Sequence, residues 1–258
     1  MNDAGTLSRR DFLGAAGATA ALPGALVLGF PTTAAAQGAA PELTAWVVVQ
    51  PDERVIIRIA RSEMGQGSLT GLAQLVAEEL ECDWARVTTE YPTPGQNLAR
   101  QRVWGNFSTG GSRGIRESQD YVRKGGATAR LMLVQAAAAG WGVPASECRV
   151  EQGVITHAAS GRRTTYGQVA AAAARLTPPT EVTLKDPKDW KLVGRRVARL
   201  DTVEKTTGAQ VYGADLKLPG MLNAAVRACP VFGGKVRSVD AAKAMAMPGV
   251  KKVVTLEG

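Results

Sequence analysis

The stretch Arg61-Ser62-Glu63-Met64-Gly65-Gln66-Gly67 is a polar, glycine-containing loop between two apolar segments. Residues 54–60 precede it and are rich in β-branched residues, which is typical of a strand. After the loop, apolar residues recur with a period near 3.6 and predict an amphipathic helix: Leu69, Leu72, Ala73, Val76 and Leu80. A strand, a glycine loop and a helix in this order, with more strands nearby, predict an α+β fold.

A second loop of small residues, Asn106-Phe107-Ser108-Thr109-Gly110-Gly111-Ser112-Arg113-Gly114, repeats the pattern in outline. A long alanine-rich helix over residues 115–140 is predicted to follow it. Between the two loops, residues 86–91 predict a short strand that leads into a loop rich in Pro, Gly and Asn. Two β-hairpins are predicted, one over residues 45–60 with its turn at 50–53, and one over residues 150–156 with its turn at Gln152-Gly153.

The composition of the chain changes after a short alanine helix predicted at residues 166–176. Residues 177–187 contain three prolines and predict a linker. Beyond residue 199 the chain returns to predicted short strands, notably 220–228 and 250–256. We therefore predict a signal segment over residues 1–36, a first domain over 37–180, a linker over 181–198 and a second domain over 199–258.

A glycine loop that opens a helix exposes backbone N–H groups at the positive end of the helix dipole. Such a loop suits a phosphate, a pterin edge or a metal-bound oxo group, and Gln66 adds an amide that can donate or accept. Ordinary turn chemistry is the alternative, and the sequence does not show whether the two loops meet. Neither loop has the pattern of a P-loop or of a dinucleotide-binding GxGxxG motif.

The N-terminal segment begins with Ser8-Arg9-Arg10-Asp11-Phe12-Leu13 and continues as an apolar, alanine-rich run to Ala36. This pattern predicts a twin-arginine export signal that is cleaved after Ala36, and hence a periplasmic protein that folds around its cofactor before export. A general secretory signal is the alternative. Pro23, Gly24 and Pro31 interrupt the run, so we expect no stable membrane anchor.

The formal net charge of +8 is spread over scattered basic residues, which does not favour nucleic-acid binding. The three cysteines, Cys82, Cys148 and Cys229, are far apart and predict buried, unpaired thiols, with one disulfide and one free thiol as the alternative. His157, the single histidine, lies in a predicted strand and is not expected to act as a catalyst. Glu78 and Glu79 are expected to form a solvated helix face with no titrating partner.

Three motifs carry a resemblance to a known family. The first loop, followed by Leu75-Val76-Ala77-Glu78-Glu79-Leu80, resembles the EMGQG…AEEL segment of molybdenum hydroxylases, the xanthine dehydrogenase/aldehyde oxidase family. The similarity is closest to the exported isoquinoline 1-oxidoreductase β-subunit type. Thr109-Gly110-Gly111-Ser112-Arg113-Gly114 resembles that family's second cofactor loop. The segments around Tyr212-Gly213-Ala214-Asp215 and Pro248-Gly249-Val250 resemble the start of its α/β "hammerhead" domain.

The resemblance implies part of a molybdopterin-binding domain followed by the beginning of the hammerhead domain. It also implies a molybdenum cofactor of the molybdopterin cytosine dinucleotide type. The residues that would contact it are Met64, Gly65, Gln66 and Gly67 in the first loop, and Gly110, Gly111, Ser112 and Gly114 in the second. Residue chemistry leaves alternatives open: Met64 in a packed core, Ser112 as a helix N-cap, and Arg113 as a solvated loop charge.

The implied reaction is oxidation of N-heterocycles or aldehydes with oxygen derived from water. Electrons would leave through 2Fe-2S clusters in a small iron–sulfur partner subunit, with a c-type cytochrome as acceptor. In this family the catalytic glutamate lies beyond the region that corresponds to residue 258. The chain is therefore expected to be an N-terminal part that needs the missing C-terminal part for activity. The alternative is a non-catalytic exported module that keeps the fold and binds a partner protein.

Overall fold

A computed structural model describes residues 40–256. The predicted export signal, residues 1–36, lies outside the described residues. The chain divides into two compact units: the first ends at Val211 and the second begins at Tyr212. Among residues 40–256, no helix has both the length and the apolar character that crossing a membrane requires. The mixture of helices and strands confirms the predicted α+β class.

A four-stranded sheet begins the first unit. Its strands are β1 (Glu42–Thr44), β2 (Val47–Val49), β3 (Val55–Arg58) and β4 (Val87–Glu90), in the spatial order 1-2-3-4. β2 and β3 form the predicted antiparallel hairpin, whereas β3 and β4 are parallel. Parallel neighbours need a crossover, and helix α1 (Ser68–Leu80) supplies it. The first loop is the connection from β3 to α1.

Five further helices lie in the described part of the first unit, residues 40–211: α2 (Pro94–Ala99), α3 (Arg113–Arg116), α4 (Gln119–Trp141), α5 (Tyr166–Ala173) and α6 (Thr202–Thr207). The segment after β4 was predicted as a loop but contains α2. Thr93 and Gln96 form a capping box there, with proline at the first helical turn, and this local chemistry starts the helix. The long helix begins at Gln119, because α3 is a separate turn before it.

Helices α1 and α4 pack closely because α4 carries Gly126 at their contact, and the adjacent Gly125 lies against Trp46, between β1 and β2. A Cβ added to Gly126 would lie 2.5 Å from the Val76 carbonyl oxygen, and one added to Gly125 would lie 2.7 Å from Trp46 Cδ1. Both positions therefore exclude any side chain. The core beneath them includes Ile57, Leu72 and Leu133, each no more than 1% exposed.

A three-stranded antiparallel sheet follows α4 and consists of β5 (Cys148–Glu151), β6 (Val154–His157) and β7 (Arg162–Thr165). Its first turn lies at Gln152-Gly153, as predicted, and both residues have positive φ. His157 is a buried residue of β6 whose ring nitrogens lie 2.7 Å from Ser160 Oγ and 2.9 Å from Glu147 Oε2. These contacts satisfy both nitrogens and confirm a strand residue.

The prediction that Glu78 and Glu79 form a solvated face is wrong, because both are buried. Glu79 Oε1 accepts a hydrogen bond from Arg123 Nε at 2.9 Å. Glu78 accepts from three backbone N–H groups of residues 191–193 at 2.6–3.0 Å, and Lys185 Nζ lies 3.0 Å from its other oxygen. Burial opposes the charge of Glu78, but these donors lower its pKa below the ordinary value. The partners lie 107 to 115 residues further along the chain.

The second unit, described over residues 212–256, contains helix α7 (Ala242–Met245) and no strand within that range. The strands predicted at 220–228 and 250–256 are therefore wrong. All three cysteines are free. Cys82 is buried, and desolvation raises the pKa of its thiol to about 12. Cys148 is half-buried and Cys229 is exposed, contrary to the prediction of buried thiols. The predicted domain boundaries stay a prediction.

Candidate cofactor-binding site

The first loop (residues 61–67) and the second loop (residues 106–114) are in direct contact. The Ser62 N–H donates to Thr109 Oγ1 at 3.0 Å. The Arg61 guanidinium donates to the Ser108 carbonyl and, at 2.9 Å, to Ser118 Oγ. The structure therefore brings together the two segments whose convergence the sequence could not show.

Glu63 organises the first loop through its carboxylate, which is only 5% exposed. Oε1 accepts from the N–H groups of Gly65 at 2.8 Å and Gly67 at 2.9 Å, and Oε2 accepts from Leu69 at 3.0 Å. Burial opposes the charge, but these three donors, with Lys205 nearby, lower the pKa of Glu63. The N–H groups that were predicted to face a ligand are thus occupied by the chain's own carboxylate.

The Gln66 amide, predicted to be free for a ligand, is also used inside the first loop. Its Nε2 donates to the Ser62 carbonyl at 2.8 Å and to Ser68 Oγ at 2.9 Å, and its Oε1 accepts from the Met64 N–H at 2.5 Å. Met64 is 71% exposed, so it does not pack in the core. Gly65 has a φ of 101°, which favours glycine. The outward face of the loop therefore includes the Met64 side chain and the backbone at Gly65.

Arginine side chains organise the second loop. Arg113 Nε donates to the Gly110 carbonyl and Nη2 donates to Ser108 Oγ, both at 2.9 Å, so Arg113 is not a free solvated charge. Arg116 Nη2 reaches the Gly111 carbonyl at 3.4 Å. Ser112 precedes α3 with a φ of 55°, and its hydroxyl makes no capping hydrogen bond. The N-cap alternative for Ser112 is therefore not supported.

The backbone of both loops remains accessible from outside. Gly110, Gly111 and Ser112 are exposed residues, and their N–H groups donate to no acceptor within residues 40–256. A Cβ added to Gly65 or Gly110 would meet no atom within 4 Å. A flat or anionic group can therefore approach the backbone closely, as a pterin cofactor with its phosphate requires. The residues present fit such a group.

Gly114 lies against the start of α1, where an added Cβ would make an ordinary contact of 3.6 Å with Ser68 Cβ. Gly67 has a φ of 82° and ends the first loop. No group of three or more His, Cys, Asp or Glu within residues 40–256 is arranged to hold a metal ion.

Sequence reasoning missed the contribution of Arg199 to this site. Its Nη1 donates to the Gly65 carbonyl at 3.1 Å and its Nη2 donates to Glu63 Oε1 at 3.0 Å. These contacts join residues 134 and 136 positions apart in the chain. No local pattern indicates such a contact, so only the folded chain reveals it.

Comparison with known proteins places both loops in one matched region. Residues 20–215 match the molybdopterin cofactor-binding domain family. The chain is 32% identical to the β-subunit of isoquinoline 1-oxidoreductase from Brevundimonas diminuta, over 97% of this chain and 37% of that protein. It is 30% identical to the membrane-bound aldehyde dehydrogenase (pyrroloquinoline-quinone) of Gluconacetobacter polyoxogenes, over 98% of this chain and 33% of that protein.

A third relative, a nicotinate dehydrogenase subunit from Pseudomonas putida, is 30% identical over 88% of this chain and 20% of its own length. The chain thus spans 20–37% of the length of these relatives. The family predicted from the three motifs is confirmed, and the chain belongs to the molybdopterin cofactor-binding domain family.

Proposed function

We propose that this chain is the molybdopterin-binding part of an oxidoreductase large subunit that oxidises N-heterocycles or aldehydes with oxygen derived from water. The observation that carries the proposal is the contact between the two glycine loops through Ser62 and Thr109, inside the family's matched region. The names of the relatives include two N-heterocycles, isoquinoline and nicotinate, and the aldehyde class. The proposed cofactor form is molybdopterin cytosine dinucleotide.

Each site residue has a physical role in this proposal. The free N–H groups of Gly110, Gly111 and Ser112 bind anionic oxygens of the cofactor, since consecutive backbone donors form an anion-binding concavity. Gly65 lets the cofactor approach the first loop, and the exposed Met64 thioether covers its apolar face. Gln66 and Gly67 maintain the loop. The bound cofactor supplies the redox chemistry, while the chain binds and orients it.

The experiment that tests the proposal fills the open space beside the second loop. Gly110→Val, made at the native gene locus, puts a branched side chain where no protein atom lies within 4 Å. The matched control is Gly213→Val, at another glycine with open space around it and no positive φ. We expect wild-type stability for both variants and a molybdenum content at least about tenfold lower for Gly110→Val only. Equal molybdenum in all three purified proteins, measured by mass spectrometry, would contradict the proposal.

We also propose that the protein works in the periplasm with a small iron–sulfur subunit that carries 2Fe-2S clusters, and that a c-type cytochrome accepts the electrons. The support for export is the motif at Arg9 and Arg10. Replacing both arginines by lysine should leave the precursor in the cytoplasm, as cell fractionation would show. Processed periplasmic protein from that variant would refute export by the twin-arginine route. Co-purification of a partner that holds iron and acid-labile sulfide tests the second part.

A further inference from the structure

Three charged side chains of residues 199–205 form a cluster beside the first loop: Arg199 and Lys205 lie 3.0 and 3.7 Å from Glu63 Oε1, and Asp201 pairs with both of them. We propose that Arg199 is a positioning residue that holds the first loop in its cofactor-binding conformation. We call these three side chains the clasp. The inference rests on the proposed function for its purpose, but its geometry stands on contacts among described residues.

The clasp begins with Asp201, whose side chain is 6% exposed. Its two oxygens accept from Arg199 Nε at 3.0 Å and from Arg199 Nη2 at 2.9 Å. A two-point contact of this kind fixes the plane of a guanidinium group as well as its position. Lys205, one helical turn further on, also pairs with Asp201. Asp201 therefore fixes the orientation in which the Arg199 guanidinium group contacts the first loop.

The Arg199 guanidinium contacts the first loop at a side-chain carboxylate and at a backbone carbonyl. Nη2 donates to Glu63 Oε1, the same oxygen that accepts from Gly65 and Gly67. Nη1 donates to the Gly65 carbonyl at 3.1 Å. Arg199 thus stabilises the Glu63 carboxylate, which accepts from the loop's N–H groups. It also fixes the carbonyl of Gly65, the loop residue with a φ of 101°. Lys205 Nζ lies 3.7 Å from Glu63 Oε1, so two cations balance two carboxylates.

The backbone beside Arg199 is itself fastened to α1. The Leu200 N–H donates to Thr70 Oγ1 at 3.1 Å, and Gln74 Nε2 donates to the Leu192 carbonyl at 2.8 Å. Residues 192–200 therefore run along the helix that the first loop opens. Because the helix and the clasp share this anchor, Arg199 keeps a fixed distance from the loop. Arg199 acts on the cofactor only through the loop, which makes it a positioning residue.

Hydrogen exchange of the full chain without cofactor tests the clasp directly. In Arg199→Met we expect exchange at the Gly65, Gly67 and Leu69 amides to accelerate at least about tenfold, with the amides of residues 72–80 unchanged. Arg199→Lys should recover part of the protection, since an ammonium can keep one of the two contacts. Arg196→Met is the control, because Arg196 is an exposed neighbour and should change nothing. Unchanged exchange at the Gly65, Gly67 and Leu69 amides in Arg199→Met would overturn the inference.

Two further measurements keep the inference falsifiable. If Arg199→Met does not fold, Asp201→Asn provides a second test, because it removes the carboxylate that orients Arg199. Exchange at the Gly65, Gly67 and Leu69 amides should then accelerate by a smaller factor, and unchanged exchange would overturn the inference. Molybdenum content distinguishes a failure of this inference from a failure of the proposed function. A faster-exchanging Arg199→Met that keeps wild-type molybdenum overturns positioning and leaves the proposed function standing, whereas molybdenum-free wild-type protein rejects the proposed function.

Discussion

The first and second loops are both short, rich in glycine and followed by a helix, yet side chains of opposite charge hold their backbones in place. In the first loop the Glu63 carboxylate accepts from the N–H groups of Gly65 and Gly67 and from that of Leu69 in α1. The backbone carbonyls of the second loop accept instead from guanidinium groups: that of Arg61, which belongs to the first loop, and those of Arg113 and Arg116. Loops with similar glycine patterns can therefore leave different backbone groups free. A carboxylate occupies the N–H groups of its loop, whereas a guanidinium group occupies the carbonyls.

This difference decides what each loop can offer to a ligand. A loop whose N–H groups are taken by a carboxylate has few donors left for an anion. A loop whose carbonyls are taken by arginines keeps its N–H groups, as Gly110, Gly111 and Ser112 do. The second loop is accordingly the anion-receptive one, and the first offers an apolar, close-approach surface at Met64 and Gly65.

The largest effect is expected from a change that disturbs both loops at once. Gly126→Ala places a Cβ 2.5 Å from the Val76 carbonyl oxygen and forces apart α1, which follows the first loop, and α4, which follows the second loop after α3. We expect a loss of about 3 kcal/mol in the free energy of unfolding, measured by urea denaturation. Gly140→Ala, in open space on the same helix, should instead be neutral or stabilising. Equal stability of the two variants would show that the glycine does not set the packing.

Acid should loosen the first loop and spare the second. The folded-state pKa of Glu63 is below its ordinary value of 4.5, so its contribution is present above that value and is lost as the pH falls through the folded pKa. Guanidinium groups do not titrate there. Amide spectra recorded from about pH 6 to about pH 3 should show Gly65 and Gly67 shifting before Gly110 and Gly111. Simultaneous shifts in both loops would argue against separate construction.

The smallest effect is expected from a change confined to the second loop. Arg113→Met removes the donors to Ser108 and Gly110 and keeps most of the apolar stem. Because Arg113 is 40% exposed, we expect a loss of only about 0.5 kcal/mol in the free energy of unfolding. Exchange should accelerate at residues 108–111 and stay constant at residues 63–69. A spread of the effect into the first loop would mean that Arg113 supports both.

Local patterns predicted much of this fold, because they act over a few residues. The 3.6-residue period gave α1, and the turn at Gln152-Gly153 has the positive φ values that such a pair favours. Strands were wrongly predicted in the second unit. Residues 250–256 are rich in β-branched residues and residues 220–228 are mostly apolar, but no partner strand pairs with them within residues 212–256.

Charge roles were the least predictable part, since they depend on distant partners. Glu78 and Glu79 look like a solvated pair in sequence, and their partners come from residues 123 and 185–193. The same holds for the candidate site. Both glycine loops were recognisable, whereas the occupancy of their N–H groups and the role of Arg199 emerged only with the folded chain.

Hydrogen exchange compared between molybdenum-loaded and cofactor-free protein is the most direct test that the joined loops are the cofactor site. The amides of Gly110, Gly111 and Ser112 should exchange more slowly in the loaded protein, because they gain acceptors. Those of Gly65, Gly67 and Leu69 should not change, because Glu63 already holds them. Unchanged exchange at Gly110–Ser112, or slowing confined to regions away from both loops, would contradict the account.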